Sequence, residues 1–339
     1  MTVKCQVTVE TTRGDHVESR SRVWVVAVDA EGRELLGAGE SEQPVFWRSS
    51  AKFVQALSLF TSGAAERFGF TDTELALACG SHAGGPEHVA VAARMLERIG
   101  ATVDDLHCGP HTPLGSREAK ALQASGQAPT KLHNNCSGKH AGMLAACRAR
   151  GWPLARYNRI DHPLQQEILG HLGTVASVAR EQIQTAVDGC GAVVFRTPLV
   201  GLARSFRRWA GGELPAPYQA AGERLRTAVT TAPEMVAGAG QLCTELMRKT
   251  GGRLLAKIGA EGVYGLGTSR GPHGAAGLAL KIEDGSHRGM GPTVLALLRH
   301  LGWLDEAEHE ALREHWHSPL YNHQREHVGD IRVRIDPAG

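Results

Sequence analysis

The sequence predicts an α+β fold with one antiparallel sheet built from N- and C-terminal strands and a large helical region between them. Three observations lead to this prediction. The first forty residues contain runs of alternating or valine-rich residues, helical apolar spacing dominates the middle of the chain, and strand-like runs return after residue 250.

Three strands are predicted near the N-terminus. Apolar and polar residues alternate from Val3 to Val9, and the run from Arg22 to Asp29 is rich in valine. A turn signal at residues 29–32 separates that run from a third strand over Glu34 to Gly39. We therefore expect an antiparallel meander.

The middle of the chain is predicted to be mainly helical. Apolar residues at i, i+4, i+7 and i+11 predict a helix from Ser50 to Phe68, and Pro86 marks the first turn of another. The stretch from Ser137 to Arg150 is rich in Gly and Ala, so we expect it to pack closely against its neighbours. The Pro-rich segment Glu213 to Pro217 is the best loop candidate.

Strand signals return late in the chain. The four runs are residues 253–258, 263–268, 277–282 and 328–335. We therefore interpret residues 1–339 as a single domain. It comprises sheet strands over 1–45, a mainly helical region over 46–250, and returning strands with C-terminal helices over 251–336.

Bulk composition excludes several classes of protein. The net charge is +2 and 42% of residues are hydrophobic, so the chain offers no basic field for nucleic acid, and no apolar run reaches the roughly 20 residues of a membrane span. The N-terminus lacks a signal-peptide pattern, which predicts a cytoplasmic protein. Five of the seven cysteines are expected to be reduced, buried thiols: Cys5, Cys79, Cys108, Cys147 and Cys243.

The segment from Arg48 to Lys52 carries a Ser-x-x-Lys pattern at a predicted helix start. Residues i and i+3 share a helix face, and an unprotonated lysine can take the proton of a serine hydroxyl. This favours Ser49 as a nucleophile with Lys52 as its base. The alternatives are that Ser49 only caps the helix and that Lys52 faces solvent.

Two further positions supply a second hydroxyl and a second amine. Ser81 and His82 lie in a loop bracketed by glycines, where backbone approaches a ligand easily, although a plain turn explains the loop equally well. Lys257 interrupts an apolar strand, and burial would make it a second candidate base. The alternative for Lys257 is an edge-strand residue facing water.

A third cluster combines thiols with nitrogen donors. Cys136, Lys139 and His140 fall at i, i+3 and i+4 where a helix begins, and Cys190 follows Asp188 in a glycine-rich turn. The helix N-terminus predicts a lowered pKa for Cys136. Two thiolates with nitrogen ligands would suit zinc, although the spacing matches no common zinc signature. The seven histidines of residues 287–327 are interpreted as surface residues.

Six motifs, in order along roughly residues 7–305, resemble the Rhizobium-type (class 3) L-asparaginases. They are Arg48-Ser49-Ser50-Ala51-Lys52, Ser81-His82, His133-Asn134-Asn135-Cys136-Ser137-Gly138-Lys139-His140-Ala141-Gly142-Met143, Asp188-Gly189-Cys190-Gly191, Ala256-Lys257-Ile258-Gly259-Ala260-Glu261-Gly262-Val263 and Lys281-Ile282-Glu283-Asp284-Gly285. Their joint order is far more specific than any one of them.

The resemblance implies a catalytic domain similar in fold to serine β-lactamases and penicillin-binding proteins, acting as a homodimer. It implies hydrolysis of L-asparagine to L-aspartate and ammonia through two serine–lysine pairs. These would be Ser49 with Lys52 and Ser81 with Lys257. A zinc ion would be held by Cys136, Lys139 and Cys190. The positions implied to support substrate or metal are Arg48, Asn135, Ser137, His140 and Asp188.

Two other functions remain open from the sequence. A penicillin-recognising acyl-serine hydrolase is suggested by Lys249-Thr250-Gly251, but this tripeptide falls at a predicted helix end and no Ser-Asp-Asn motif is present. The other alternative is a non-catalytic regulator that binds an amino acid or zinc. Release of ammonia from asparagine would exclude that regulator.

Overall fold

The computed structural model describes residues 2–338, which form two compact units. Unit 1 comprises Met1–Phe46, Thr197–Gly211 and Lys249–Gly339. Unit 2 comprises Trp47–Arg196 and Gly212–Arg248. The expected loop at residues 213–217 therefore follows directly on a boundary between units. The α+β fold class predicted from the sequence is confirmed.

Most strands lie near the two ends of the chain, whereas β5 and β6 lie in its middle. In chain order they are β1 (Val3–Arg13), β2 (His16–Val28), β3 (Glu34–Ala38), β4 (Pro44–Phe46), β5 (Gln184–Val187), β6 (Val193–Pro198), β7 (Leu254–Gly259), β8 (Val263–Gly271), β9 (Gly274–Ile282), β10 (Ser318–Tyr321) and β11 (His327–Pro337).

The helices lie mostly between these two groups of strands. They are α1 (Lys52–Ala56), α2 (Ser58–Thr61), α3 (Ala64–Arg67), α4 (Asp72–Ala78), α5 (Pro86–Arg98), α6 (Ser116–Ala124), α7 (Ser137–Arg150), α8 (Pro163–Ala176), α9 (Leu199–Gly211), α10 (Gln219–Thr231), α11 (Pro233–Val236), α12 (Leu242–Lys249), α13 (Met290–His300), α14 (Glu306–Ala311) and α15 (Arg313–Trp316).

Unit 1 contains an eight-stranded sheet in the order β10-β11-β1-β3-β2-β9-β8-β7. Strands from both ends of the chain share this sheet, as predicted. The expected meander is wrong in one place, because the start of β1 pairs in parallel with β3. The reason is geometric: β3 has only five residues and inserts between the diverging ends of the β1–β2 hairpin.

Helix α9 packs directly on the sheet of unit 1 because glycines leave room for it. A Cβ atom at Gly267 would lie 2.2 Å from the carbonyl oxygen of Phe206, and one at Gly277 would lie 2.1 Å from that of Ala203. Both obstacles are backbone atoms, which cannot rotate away. The two glycines therefore set how closely the helix approaches β8 and β9.

The single helix predicted from Ser50 to Phe68 is wrong. The structure divides this stretch into α1, α2 and α3, and Gly63 adopts a left-handed conformation with φ of 74° between the last two. A glycine takes up this conformation without strain and so ends the helix. The apolar spacing continues across the breaks, which explains the error.

Helix α7 has the bounds predicted for it and packs tightly on the end of α4 within unit 2. A Cβ atom at Gly138 would lie 2.6 Å from the carbonyl oxygen of Leu77. The expectation of close packing is confirmed. This contact brings the first turn of α7 next to the loop that follows α4.

Three smaller expectations have clear outcomes. Lys249 ends α12 and β7 begins only at Leu254, so the Lys-Thr-Gly tripeptide does not lie on a strand. His309 is buried and stacks on Trp316 with ring centroids 4.9 Å apart, so its interpretation as a surface residue is wrong. Across residues 2–338, none of the helices combines the length and the apolar character that a membrane crossing requires.

Candidate active site

The segment around Ser49 forms a short 3-10 turn, Arg48–Ala51, that leads into α1. Arg48 has φ of 49°, a strained value for a residue with a side chain. Ser49 is half-buried inside the turn, whose N-cap is Trp47, so Ser49 does not serve as the N-cap. Lys52 is only 1% exposed, so the alternative of a solvated lysine is wrong.

The buried amine of Lys52 lies among three oxygen atoms. Its Nζ is 2.8 Å from Ser81 Oγ, donates to the carbonyl oxygen of Gly80, and lies 3.4 Å from that of Asn135. The contact with Ser81 spans 29 residues and was not one of the serine–lysine pairs expected from the sequence. It places a hydroxyl and an amine in direct contact inside unit 2.

Backbone hydrogen bonds hold the loop that carries Ser81. The Ser81 N–H donates to the carbonyl oxygen of Val236 at 2.7 Å, and the His82 N–H donates to that of Asn135 at 3.2 Å. Asn135 thus uses its backbone oxygen to orient this loop and to contact Lys52. Its proposed contact with substrate stays a prediction.

Ser137 is fully buried and its hydroxyl contacts two protein groups. It donates to the carbonyl oxygen of Leu132 at 3.0 Å and lies 2.9 Å from Nε2 of His82. Because its single proton is used on Leu132, the hydroxyl accepts from His82. These contacts fix the start of α7, and a direct contact of Ser137 with substrate stays a prediction.

The thiol cluster is formed by Cys136, Lys139 and Cys190, all of them buried. Lys139 Nζ lies 2.9 Å from Cys190 Sγ. A hydrogen bond from Cys136 and the charge of Lys139 hold the pKa of Cys190 far below its usual value, although burial opposes this. Burial lowers the pKa of Lys139, but the attraction of the two thiols outweighs it and raises that pKa. The pair is therefore a buried thiolate and ammonium.

The expected lowering of the Cys136 pKa is wrong. Its pKa is raised well above the usual value, first by the hydrogen bond to Cys190 and then by burial. Cys136 acts as the donor in that bond, so its proton stabilises the neighbouring thiolate. The hydrogen bond of Cys136 to Cys190 therefore affects its pKa more strongly than its position at the start of α7 does.

These three side chains fit the donor set of a zinc site. Two sulfurs and one nitrogen are donors of the kind that bind Zn²⁺, and the three side chains are buried and in contact through Cys190. Within residues 2–338, no group of three or more His, Cys, Asp or Glu side chains is placed to hold a metal. Any three-residue site here must therefore include the lysine.

An ion pair connects the turn of Ser49 with the turn of Cys190. Arg48 Nε lies 2.9 Å from Asp188 Oδ1, and that oxygen also accepts the Gly189 N–H at 2.7 Å. Gly191 closes the turn in the left-handed region, with φ of 80°. Arg48 and Asp188 thus tie the segment carrying the candidate nucleophile to the thiol cluster.

Sequence reasoning missed several buried residues around the thiols. The Asn134 amide donates to the carbonyl oxygen of Cys108 at 2.8 Å and accepts the Cys136 N–H at 2.9 Å. Burial, with the charge of Cys190, raises the pKa of Cys108 to about 11. The five cysteines expected to be free and buried are so. The residues flanking Cys108 in the sequence, His107 and Gly109, do not set this thiol apart from the other four.

Lys257 lies on β7 in unit 1 and is fully buried, so its alternative reading as a water-facing lysine is wrong. Its Nζ donates to the carbonyl oxygen of Ile258 at 3.1 Å. The pairing of Lys257 with Ser81 stays a prediction.

A family model described as L-asparaginase II matches residues 9–333. The chain belongs to the L-asparaginase II family. The enzyme class predicted from the sequence is thereby confirmed at the level of the family. The matched residues include all of the candidate active-site residues, from Arg48 to Lys257.

Comparison with solved structures gives only a weak likeness. The chain is similar to a protein called Mglu, solved in its native form at high salt, with 14% identity and a TM-score of 0.35. The match covers 84% of this chain and 62% of Mglu. A comparison with curated proteins finds no significant match.

Proposed function

We propose that this protein hydrolyses L-asparagine to L-aspartate and ammonia through a serine nucleophile and a lysine base. Membership of the L-asparaginase II family supports the reaction. The observation that carries the mechanism is the buried Lys52 amine, 2.8 Å from the hydroxyl of Ser81 and three residues after Ser49.

The contacts of Lys52 suit a general base. A neutral amine has two N–H groups and one lone pair. In the structure Lys52 Nζ donates to the carbonyl oxygens of Gly80 and Asn135 and to Ser81 Oγ. In the proposed neutral form, its two N–H groups keep the bonds to the carbonyl oxygens and its lone pair accepts the proton of Ser81. The carbonyl groups thereby orient the amine toward a serine proton.

In the proposed reaction, Ser49 Oγ forms a bond to the side-chain carbonyl carbon of asparagine. The Ser49 proton passes to Lys52, with the Ser81 hydroxyl as relay, and backbone N–H groups near Ser49 hold the oxyanion. The carbon–nitrogen bond then breaks, and ammonia takes the proton from Lys52. Water attacks the ester and gives its proton to Lys52, and Lys52 returns that proton to Ser49 Oγ as the ester bond breaks and aspartate leaves. Lys257 assists Ser81 in proton transfer.

The remaining candidates are proposed to bind substrate and metal. Arg48 and Asp188 carry opposite charges that suit the carboxylate and ammonium of an amino acid. Asn135, Ser137 and His140 are proposed to support them. The thiol cluster would hold Zn²⁺, which supplies a Lewis acid that orients substrate.

Three further properties are proposed on the sequence resemblance alone. They are a fold similar to serine β-lactamases, a homodimeric assembly and a cytoplasmic location. The weak likeness to solved structures carries no argument for the fold relationship. Size-exclusion chromatography with light scattering measures the assembly directly.

Ammonia release from asparagine tests the proposal. We expect Ser49→Ala to lower kcat by about 10⁴-fold or more, while the exposed control Ser125→Ala keeps normal turnover. An acyl-enzyme trapped on Ser81 would move the nucleophile there. Folded wild-type protein that releases no ammonia from asparagine contradicts the proposal, and hydrolysis of nitrocefin by that protein would support the penicillin-recognising alternative.

A further inference from the structure

Tyr157 connects the thiol cluster to the segment around His107. It is fully buried, and its hydroxyl lies 2.6 Å from Nδ1 of His140, which is also fully buried. The same hydroxyl accepts the backbone N–H of His107 at 3.0 Å.

The direction of these bonds follows from the number of protons. A phenol has one proton to donate, and a buried phenol needs an acceptor for it. The His107 N–H is itself a donor, so the phenol proton goes to Nδ1 of His140. Nδ1 is therefore unprotonated, and neutral His140 carries its proton on Nε2.

The second ring nitrogen of His140, Nε2, is the one available to the thiol cluster. Nε2 of His140 has no conventional hydrogen-bond partner in the part of the chain that the structure describes. The imidazole of His140 interacts with the side chain of Cys190. Because Tyr157 occupies Nδ1, Nε2 is the ring nitrogen left for that interaction. An N–H group facing a thiolate acts as a donor to it, and a nitrogen that carries this proton cannot bind a metal.

We infer that Tyr157 is a positioning residue that holds His140 as its Nε2–H tautomer and so makes His140 a hydrogen-bond donor to Cys190. The consequence for metal binding rests on the proposed function, whereas the tautomer itself does not. His140 thereby supports the proposed metal site through the sulfur of Cys190.

Asn158, the residue after Tyr157, also contacts the turn that carries Cys190. The Asn158 amide donates to the carbonyl oxygen of Gly191 at 2.7 Å, so its oxygen faces Nδ1 of His107 at 3.1 Å. Tyr157 and Asn158 thus fix both the partner of Cys190 and the backbone beside it. A single buried dipeptide orients this sulfur.

Nitrogen-15 NMR of protein labelled at histidine reads the tautomer directly. The His140 signals are assigned by their loss in His140→Gln. We expect the wild-type spectrum to show a protonated Nε2 and a bare Nδ1. We expect Tyr157→Phe to shift His140 to a mixture of tautomers and to weaken Zn²⁺ binding about tenfold, measured by competition with a chromophoric chelator.

Tyr218→Phe is the matched control. Tyr218 is another buried tyrosine of unit 2 beside a histidine, with its ring 5.0 Å from that of His171, and its hydroxyl bonds to Thr174 instead. Removing this hydroxyl should leave both the His140 signals and the Zn²⁺ affinity unchanged. An equal loss of affinity in both variants would show a general packing effect and overturn the inference.

The wild-type spectrum decides the tautomer even if Tyr157→Phe does not fold. A proton on Nδ1, or on both ring nitrogens, overturns the inference. An unchanged His140 tautomer in folded Tyr157→Phe also overturns it. If asparagine is not hydrolysed but the spectra are as expected, the proposed function fails and the assignment to Tyr157 stands.

Discussion

Two buried lysines of unit 2 have opposite surroundings. Lys52 is 1% exposed and its described hydrogen bonds go to neutral oxygens. Lys139 is 4% exposed and lies 2.9 Å from the sulfur of Cys190, a thiolate. Each lysine belongs to the first turn of a helix of unit 2, α1 for Lys52 and α7 for Lys139.

The difference separates two chemical roles for the same side chain. The described hydrogen bonds of Lys52 go to carbonyl and hydroxyl oxygens, which suits the exchange of a proton with Ser81 proposed for it. An amine beside a thiolate keeps its proton until a cation replaces it. Burial alone therefore does not distinguish the two proposed roles, whereas the charge of the neighbouring groups does.

The largest expected effect comes from replacing the first amine. Lys52→Met removes the proposed base but keeps the length of the side chain. We expect kcat for asparagine to fall by about 10³- to 10⁴-fold, with Zn²⁺ affinity changed less than about threefold. Steady-state ammonia release and chelator competition measure the two quantities. A near-normal kcat in this variant would contradict the proposed role of Lys52 as the base and its difference from Lys139.

The same substitution at the second amine should have the reverse profile. Lys139→Met removes one proposed metal ligand and the charge that stabilises the Cys190 thiolate. We expect Zn²⁺ affinity to fall by about 100-fold. We also expect the thiolate absorbance near 240 nm to decrease in metal-free protein. Unchanged affinity would show that Lys139 is not a ligand.

Metal affinity should rise with pH. The pKa values of Lys139 and Cys136 are both raised, so each still holds a proton at neutral pH that Zn²⁺ must displace, whereas the lowered pKa of Cys190 leaves none there. We expect release of about two protons per ion between roughly pH 6 and 8, read from affinity against pH. A flat profile contradicts this ligand set.

The smallest expected effect concerns the packing of α7 on α4, which places the first turn of α7, with Lys139, next to the loop that carries Ser81. Gly138→Ala places a methyl group 2.6 Å from the carbonyl oxygen of Leu77, so we expect unfolding to become easier by about 2 kcal/mol. Gly170 lies exposed within α8 and its Cβ would meet nothing within 4 Å. Gly170→Ala should therefore stabilise by about 0.5–1 kcal/mol. Denaturant titration of both variants compares them, and equal effects would argue against the close approach.

Local patterns predicted the residues of each cluster but not the contacts between them. The spacing of Ser49 and Lys52 identifies a candidate pair but carries no information on Ser81. The loop after α4 places Ser81 in contact with Lys52. The raised pKa of Cys136 depends on Cys190, which is 54 positions away in the sequence. Tyr157 has no motif around it, so only its hydrogen bonds reveal it.

The fold shows the same division between local and distant information. Strand bounds from Leu254 to Ile282 follow their sequence patterns closely, because alternation and turn residues are local. The parallel pairing of β1 with β3 depends on how far a short strand reaches between two longer ones, which no single segment encodes. The breaks near Gly63 needed backbone angles that apolar spacing does not report.

The order of segments in the two units sets when each can form during synthesis. Unit 2 has all of its segments once Arg248 has left the ribosome, whereas unit 1 still needs the stretch that begins at Lys249. The first three strands must therefore wait, with their apolar edges unpaired, until β7 to β11 are translated. Slow translation after residue 248 would prolong that exposure and favour aggregation of the nascent chain.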